Sequence, residues 1–180
     1  MPGERRRRGY LVAEWRRSVP VVKFVGLYVA LLLLFQIFYY QLVVGSAPFA
    51  VYLTWSGRAA SVLLRAVGDS VVVSGDTMTS AFVMSIKQGC DGLQAMAVLV
   101  VGMAIFPTAW RARMLGALAG VLLLLALNVL RIASLFWFGQ HRFGLFQTMH
   151  VHVWPAVLIL FAVGFWAVWA SLVPVRKQAA

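Results

Sequence analysis

Acidic side chains are scarce in this sequence: five Asp and Glu stand against sixteen Lys and Arg in 180 residues. With 12% of residues charged and 62% hydrophobic, the chain has too little polar side-chain surface to cover a water-soluble globule, which is nearer half apolar. A soluble enzyme or soluble binding module is excluded on that ground. Cysteine is scarcer still. Cys90 is the only one, so the chain forms no internal disulfide and no CxxC pair, which excludes dithiol oxidoreductase chemistry. His150 and His152 are two apart, with no Glu beside them and the one cysteine far away. That is poor ligand spacing for zinc, and neither a metal nor a cofactor is expected.

Apolar runs dominate what is present, several of them near the roughly 20 residues that cross a bilayer. Arg5 to Arg8, Arg16 and Arg17 precede the first, residues 21–44. Such a flank is like a signal-peptide n-region, but the run is too long for a signal core, and Pro48 after Gly45-Ser46-Ala47 disfavours cleavage. An uncleaved first span with a cytoplasmic N-terminus is expected. Residues 48–68 are less apolar, with Arg58 and Arg65 on one helix face, and suit an interfacial amphipathic helix. Residues 69–88 are rich in β-branched side chains around Gly75-Asp76 and predict a hairpin of two short strands, the second from Ala81 to Ile86. Open sheet edges are not tolerated in lipid, so this hairpin must lie outside the hydrocarbon or against protein. A short second span is expected from Leu93 to Phe106, ended by Pro107. A third is expected from Met114 to Phe138, a polar loop over 139–148, and a fourth span from Met149 to Val173.

The formal net charge of +11 does not indicate nucleic acid. The basic residues gather at helix ends, Arg111 and Arg113 in one turn and Arg176 and Lys177 after the last span, as the positive-inside rule requires. The partner this implies is the lipid bilayer. The expectation is an all-α polytopic membrane protein with about four transmembrane helices, an interfacial helix and a short non-cytoplasmic β-hairpin. It divides into a basic cytoplasmic N-terminus (1–20), a transmembrane domain (21–173) and a basic cytoplasmic tail (174–180). The Trp residues fall near expected boundaries and fit an aromatic belt, with Trp166 and Trp169 anchoring the final turns.

This topology brings polar residues to one depth. Cys90 stands at the non-cytoplasmic start of the second span. Arg131 lies roughly 27 Å beyond the cytoplasmic turn at ~1.5 Å per residue, and His150 and His152 begin the last span. A lone cysteine is commonly inert packing, but one near a helix N-terminus, with a cation at its depth, is placed to react as thiolate. A charge inside a span costs at least ~2.5 kcal/mol on insertion scales and usually marks a site. Asn128, one turn before Arg131, suits an inward polar face and could orient it. Asp91 or Gly92 could cap the second span. His150 and His152 face ~200° apart on a helix, so only one can point inward.

The motifs resemble those of the exosortase/archaeosortase family. Gln88-Gly89-Cys90-Asp91-Gly92-Leu93-Gln94-Ala95-Met96 is similar to its Cys-centred motif. Phe106-Pro107-Thr108-Ala109-Trp110-Arg111-Ala112-Arg113 looks like its following turn, Asn128-Val129-Leu130-Arg131-Ile132 like its Asn-x-x-Arg-Ile motif, and His150-Val151-His152-Val153-Trp154 like its final motif. The order is the family's, over residues 69–172, and the wording is most like the exosortase H subgroup. Larger relatives carry more spans than this chain. The resemblance implies a multi-pass enzyme of the bacterial inner membrane, its active site on the non-cytoplasmic side. Such an enzyme cleaves a C-terminal sorting signal (motif, transmembrane helix, basic tail) on exported proteins. It implies Cys90 as nucleophile, Arg131 as the family's arginine and His150 as its histidine, with His152 the runner-up. The competing readings are a non-catalytic membrane assembly or scaffold protein, whose Cys, Arg and His form an interhelical polar network, and a transporter or channel subunit with Arg131 on its pathway.

Overall fold

The computed structural model describes residues 21–174. The basic segments expected on the cytoplasmic side, residues 1–20 and the tail from 175 onward, lie outside the described residues. Helix α1 (Val21–Val43) ends in a π-helical turn, Tyr39–Val43. Helix α2 (Ala47–Ala66) starts where the Ser46 side chain accepts from the Phe49 N–H, with Pro48 in the first turn, where its missing N–H costs nothing. One face of α2, with Phe49, Leu53, Ala60 and Leu64, is buried. Val51, Trp55 and Val62 on the other side are exposed, and Arg58 lies 5.5 Å over the Trp55 ring.

The expected two-stranded hairpin is a three-stranded antiparallel meander, β1 (Val72–Ser74), β2 (Thr77–Thr79) and β3 (Val83–Ser85), in the order β1-β2-β3. Val72 pairs with Thr79, and Thr79 with Val83. β3 keeps the middle of the expected strand from Ala81 to Ile86, β2 is an additional strand ahead of it, and Phe82 between them packs its ring on Phe136, Phe143 and Phe146. The chain closes tightly behind it, Ser80 N–H donating to the Phe82 carbonyl. Met78, fully buried at the centre of β2, turns the sheet's inner face toward α2.

Helix α3 (Leu93–Ile105) stops at Phe106, held extended by the proline that follows. Helix α4 (Trp110–His141) is unbroken over 32 residues. The expected polar loop at 139–148 is instead the end of α4, through His141, and a short helix, α5 (Phe143–Thr148), whose sequence FGLFQT is more apolar than the Gln140-His141-Arg142 before it. A π-helical turn, Met149–Val153, joins it to α6 (Trp154–Leu172). Pro155 has no N–H to give, and the turn before it widens, Trp154 N–H donating to the Met149 carbonyl.

Among the described residues, three helices are long and apolar enough to cross a membrane, as a multi-pass membrane protein requires: α1, α4 and the continuous rod Phe143–Leu172. The expected second span is shorter than the rest. α3 has 13 residues, or ~20 Å, against a hydrocarbon core of about 30 Å. It packs between α4 and α6, where Leu99, Met103, Leu124, Leu158 and Ala162 form one core cluster. Gly116 and Gly120 of α4 make the close approach. A Cβ on Gly116 would fall 2.2 Å from the Trp169 indole nitrogen, and one on Gly120 would fall 2.3 Å from Leu99 Cδ2. Trp166 and Trp169 therefore pack between helices, with Phe106 edge-on to both, rather than anchoring final turns at an interface. A second cluster joins Tyr39, α2, the sheet and the C-terminal part of α4. Leu93 packs against both clusters, which places the Cys90 loop at their junction.

Candidate active site

The site begins with two glycines. Gly89 has φ +85° and Gly92 has φ +77°, left-handed conformations that glycine adopts without Cβ strain. At Gly92 the neighbourhood is also closed, since a Cβ would lie 3.0 Å from the Asn128 side chain. Between the two bends, Cys90 and Asp91 point to different partners.

Asp91 is 1% exposed and ties the loop. Its carboxylate accepts from Tyr39 Oη at 2.6 Å, from Gly89 N–H at 2.9 Å and from Leu93 N–H at 2.7 Å. Its backbone carbonyl accepts from Tyr52 Oη. Asp91 thus serves an orphan N–H of α3, as expected of a cap, while Gly92 occupies the backbone cap position. The same carboxylate anchors α1 through Tyr39. Neither tyrosine was singled out by sequence, because partners 52 and 39 residues away leave no local pattern.

Cys90 faces α4 and the start of the last helix. Its Sγ is 3.6 Å from His150 Nδ1 and 3.9 Å from His150 Nε2. Arg131 Nη2 is 3.9 Å from the same sulfur. Arg131 is 3% exposed, so its charge is held inside the protein rather than snorkelling outward. The imidazole is stacked on Phe146, centroids 5.7 Å apart and planes within 3°. Phe146 stacks in turn on Phe143. Phe146 is four residues before His150, a same-face spacing that becomes readable once 143–148 is seen as helix. His152 is exposed and takes no part in these contacts, so His150 is the histidine at the thiol. His141 stacks on Trp137 at the end of α4.

Two expectations change here. Cys90 precedes α3, as expected, but the thiolate expected from a helix end and a nearby cation is not the outcome. Burial pushes its thiol above the ordinary cysteine value, against the opposing pull of the Arg131 guanidinium. Desolvation thus outweighs the cation, and the resting group at neutral pH is a thiol with a histidine beside it. Asn128 does not orient Arg131. It is 1% exposed, lies beneath Gly92, and its amide nitrogen and oxygen make no hydrogen bond among the described residues. Arg131 Nε is likewise unpartnered. Among the described residues, no three of His, Cys, Asp and Glu converge to hold a metal ion.

The arrangement sets a thiol against an imidazole and beside a buried guanidinium, the side-chain types that nucleophilic acyl transfer uses. Comparison of the chain with protein-family models, with curated proteins and with solved structures finds no match.

Proposed function

We propose that this chain is a membrane-embedded cysteine protease or transpeptidase of the exosortase/archaeosortase type. It cleaves exported proteins at a C-terminal sorting signal made of a short motif, a transmembrane helix and a basic tail. The observation that carries the reading is the convergence of Cys90, Arg131 and His150 within 3.9 Å, from positions 41 and 60 residues apart. The ordered motifs around the same three residues support it. In this reading α3 is the short second of four spans, α2 lies at the interface, and both termini are cytoplasmic. The site then faces the non-cytoplasmic side of a bacterial inner membrane.

His150 accepts the thiol proton as Cys90 Sγ attacks the scissile carbonyl carbon. Arg131 stabilises the oxyanion of the tetrahedral intermediate. The C–N bond breaks, His150 returns the proton to the leaving amine, and the acyl group remains on sulfur as a thioester. Water or another nucleophile then breaks the C–S bond, and the thiol is restored.

The test is the C-terminus of such exported proteins in cells carrying wild-type protein, Cys90→Ala or Cys90→Ser, read by mass spectrometry. Both variants should insert normally and leave the signal attached, Cys90→Ala with a loss on the order of 10⁶ in rate. Normal processing in Cys90→Ala would sink the proposal. It would favour a non-catalytic assembly protein, a reading to which the buried Asp91, Tyr39 and Tyr52 network lends itself.

A further inference from the structure

The sheet has one closed edge and one open one. At β1, Arg65 Nη2 of α2 donates to the Val71 carbonyl at 3.0 Å, and α2 packs against the strand. β3 lies at the other edge, and its register fixes which way its backbone points. Ile86 N–H donates to the Asp76 carbonyl, and Ser80 N–H to the Phe82 carbonyl. In an antiparallel pair the bonded positions alternate, so between those two bonds it is Met84 that exchanges hydrogen bonds with Met78. Val83 and Ser85 sit at the positions in between, opposite Thr79 and Thr77, and their N–H and C=O groups point away from β2. Among the described residues those groups meet no hydrogen-bond partner, and the Val83 side chain beside them is 62% exposed. An unpaired edge is a template for another strand, and natural proteins blunt it with charge, proline, a bulge or shortness. Val83-Met84-Ser85 has only the last of these. Cys90 follows five residues past Ser85, so the open edge leads into the candidate site.

We infer that the open edge of β3 binds the stretch of the sorting signal just before the cut, as a fourth strand running parallel to β3. The inference rests on the acyl-transfer reading and adds to it the way the site takes its substrate. Direction follows from chain polarity. β3 runs toward Cys90, and a segment whose attacked carbonyl ends at Cys90 runs the same way when it lies beside β3. The segment after the cut leads into the substrate's transmembrane helix, whose backbone groups are already paired within the helix. In the parallel arrangement the substrate residue beside Met84 donates its N–H to the Val83 carbonyl and accepts from the Ser85 N–H. A strand of three residues offers few such bonds, which suits a short motif. Main-chain bonds of this kind supply affinity, while side-chain contacts supply specificity.

The test is Ser85→Pro, which deletes one outward N–H and spares the bonds to β2, since proline is tolerated where an edge N–H faces away from the sheet. Ser85→Ala is its control. Ser85 Oγ shares a hydrogen bond with Thr77 Oγ1 at 3.0 Å, and both substitutions lose it. Each variant is read in cells by the rate at which an exported protein ending in motif, helix and basic tail is processed. Iodoacetamide labelling of Cys90 and the unfolding midpoint are measured on the same variants after purification. Ser85→Pro should slow processing about tenfold beyond Ser85→Ala, within the reach of one hydrogen bond, while Cys90 labels at the wild-type rate. Equal processing by the two variants would overturn the inference. If Ser85→Pro does not fold, p-benzoylphenylalanine in place of Val83, in the Cys90→Ala background, decides the matter. On irradiation it should crosslink to signal residues before the cut, mapped by mass spectrometry. A crosslink only to the substrate's transmembrane helix, only to a second copy of this chain, or to nothing overturns the edge. Processing blocked by Cys90→Ala with no crosslink from position 83 removes the strand and leaves the nucleophile. Normal processing in Cys90→Ala removes the acyl-transfer reading and the inference with it.

Discussion

Arg131 and Cys90 hold each other in an electrostatic balance that a single substitution can tip. Burial raises the thiol and the guanidinium at 3.9 Å opposes that rise. Alkylation by a small neutral reagent should therefore increase with pH along a curve centred above the ordinary cysteine value. In Arg131→Gln the opposing cation is gone and the thiol rises further. Each step of one pH by which the curve moves up should then lower labelling at neutral pH roughly tenfold. Arg131→Lys keeps the charge but not the planar fork, and its curve should lie between the two. A curve unmoved by Arg131→Gln would show that the guanidinium does not act on the sulfur. The cation, the thiol and the two candidate histidines were all legible as residues. The preference for His150 over His152 came only from the motif resemblance and not from spacing, since it depends on the wide turn before Pro155 that sets one ring on Cys90 and leaves the other outside. Asn128 was legible as a polar residue in an apolar helix, but its place beneath Gly92 rather than against Arg131 follows from how closely the loop crosses α4.

Among the elements, the loop from Ile86 to Gly92 bears the strictest demands, because it must leave a sheet, turn twice and start a helix. Asp91 meets those demands by accepting three hydrogen bonds, one from the loop's own backbone at Gly89, one from Leu93 N–H at the start of α3 and one from Tyr39 Oη. Asp91→Ala leaves Tyr39 Oη and the Leu93 N–H without their acceptor and should lower stability by about 2–4 kcal/mol. Tyr39→Phe removes one bond only and should cost about 1 kcal/mol. Unfolding midpoints in detergent would check this, and an Asp91→Ala midpoint equal to wild type would show that the loop is held by packing alone. Apolar periodicity and proline placement made α1, α3, α4 and α6 readable. The third strand and α5 were not, for a shared reason. Phe82, between β2 and β3, and Phe146 of α5 meet each other in space, a contact with no signature along the chain.

At the scale of the whole molecule, the described residues form two cores with the Cys90 loop at their junction, one core of α3, α4 and α6 and the other of α2, the sheet and the C-terminal part of α4. On the topology proposed, a membrane-impermeant maleimide added to intact spheroplasts should label Cys90, and Cys90→Ser should abolish the signal. Labelling only after the membrane is permeabilised would invert the orientation. Membrane residence and the long apolar helices were determined by the sequence itself. They depend on how many apolar residues stand in a row and on five acidic residues being too few to cover a soluble surface. The candidate residues were determined there too, since a lone cysteine and an arginine in an apolar run stand out by composition. Only the tertiary structure decided that Asp91 is the knot of the loop, that His150 is the partner of Cys90, and that β3 keeps an open edge. Each of these rests on side chains separated by 39 to 60 residues, or on the register in which β2 meets β3. Contacts of that kind have no period along the chain.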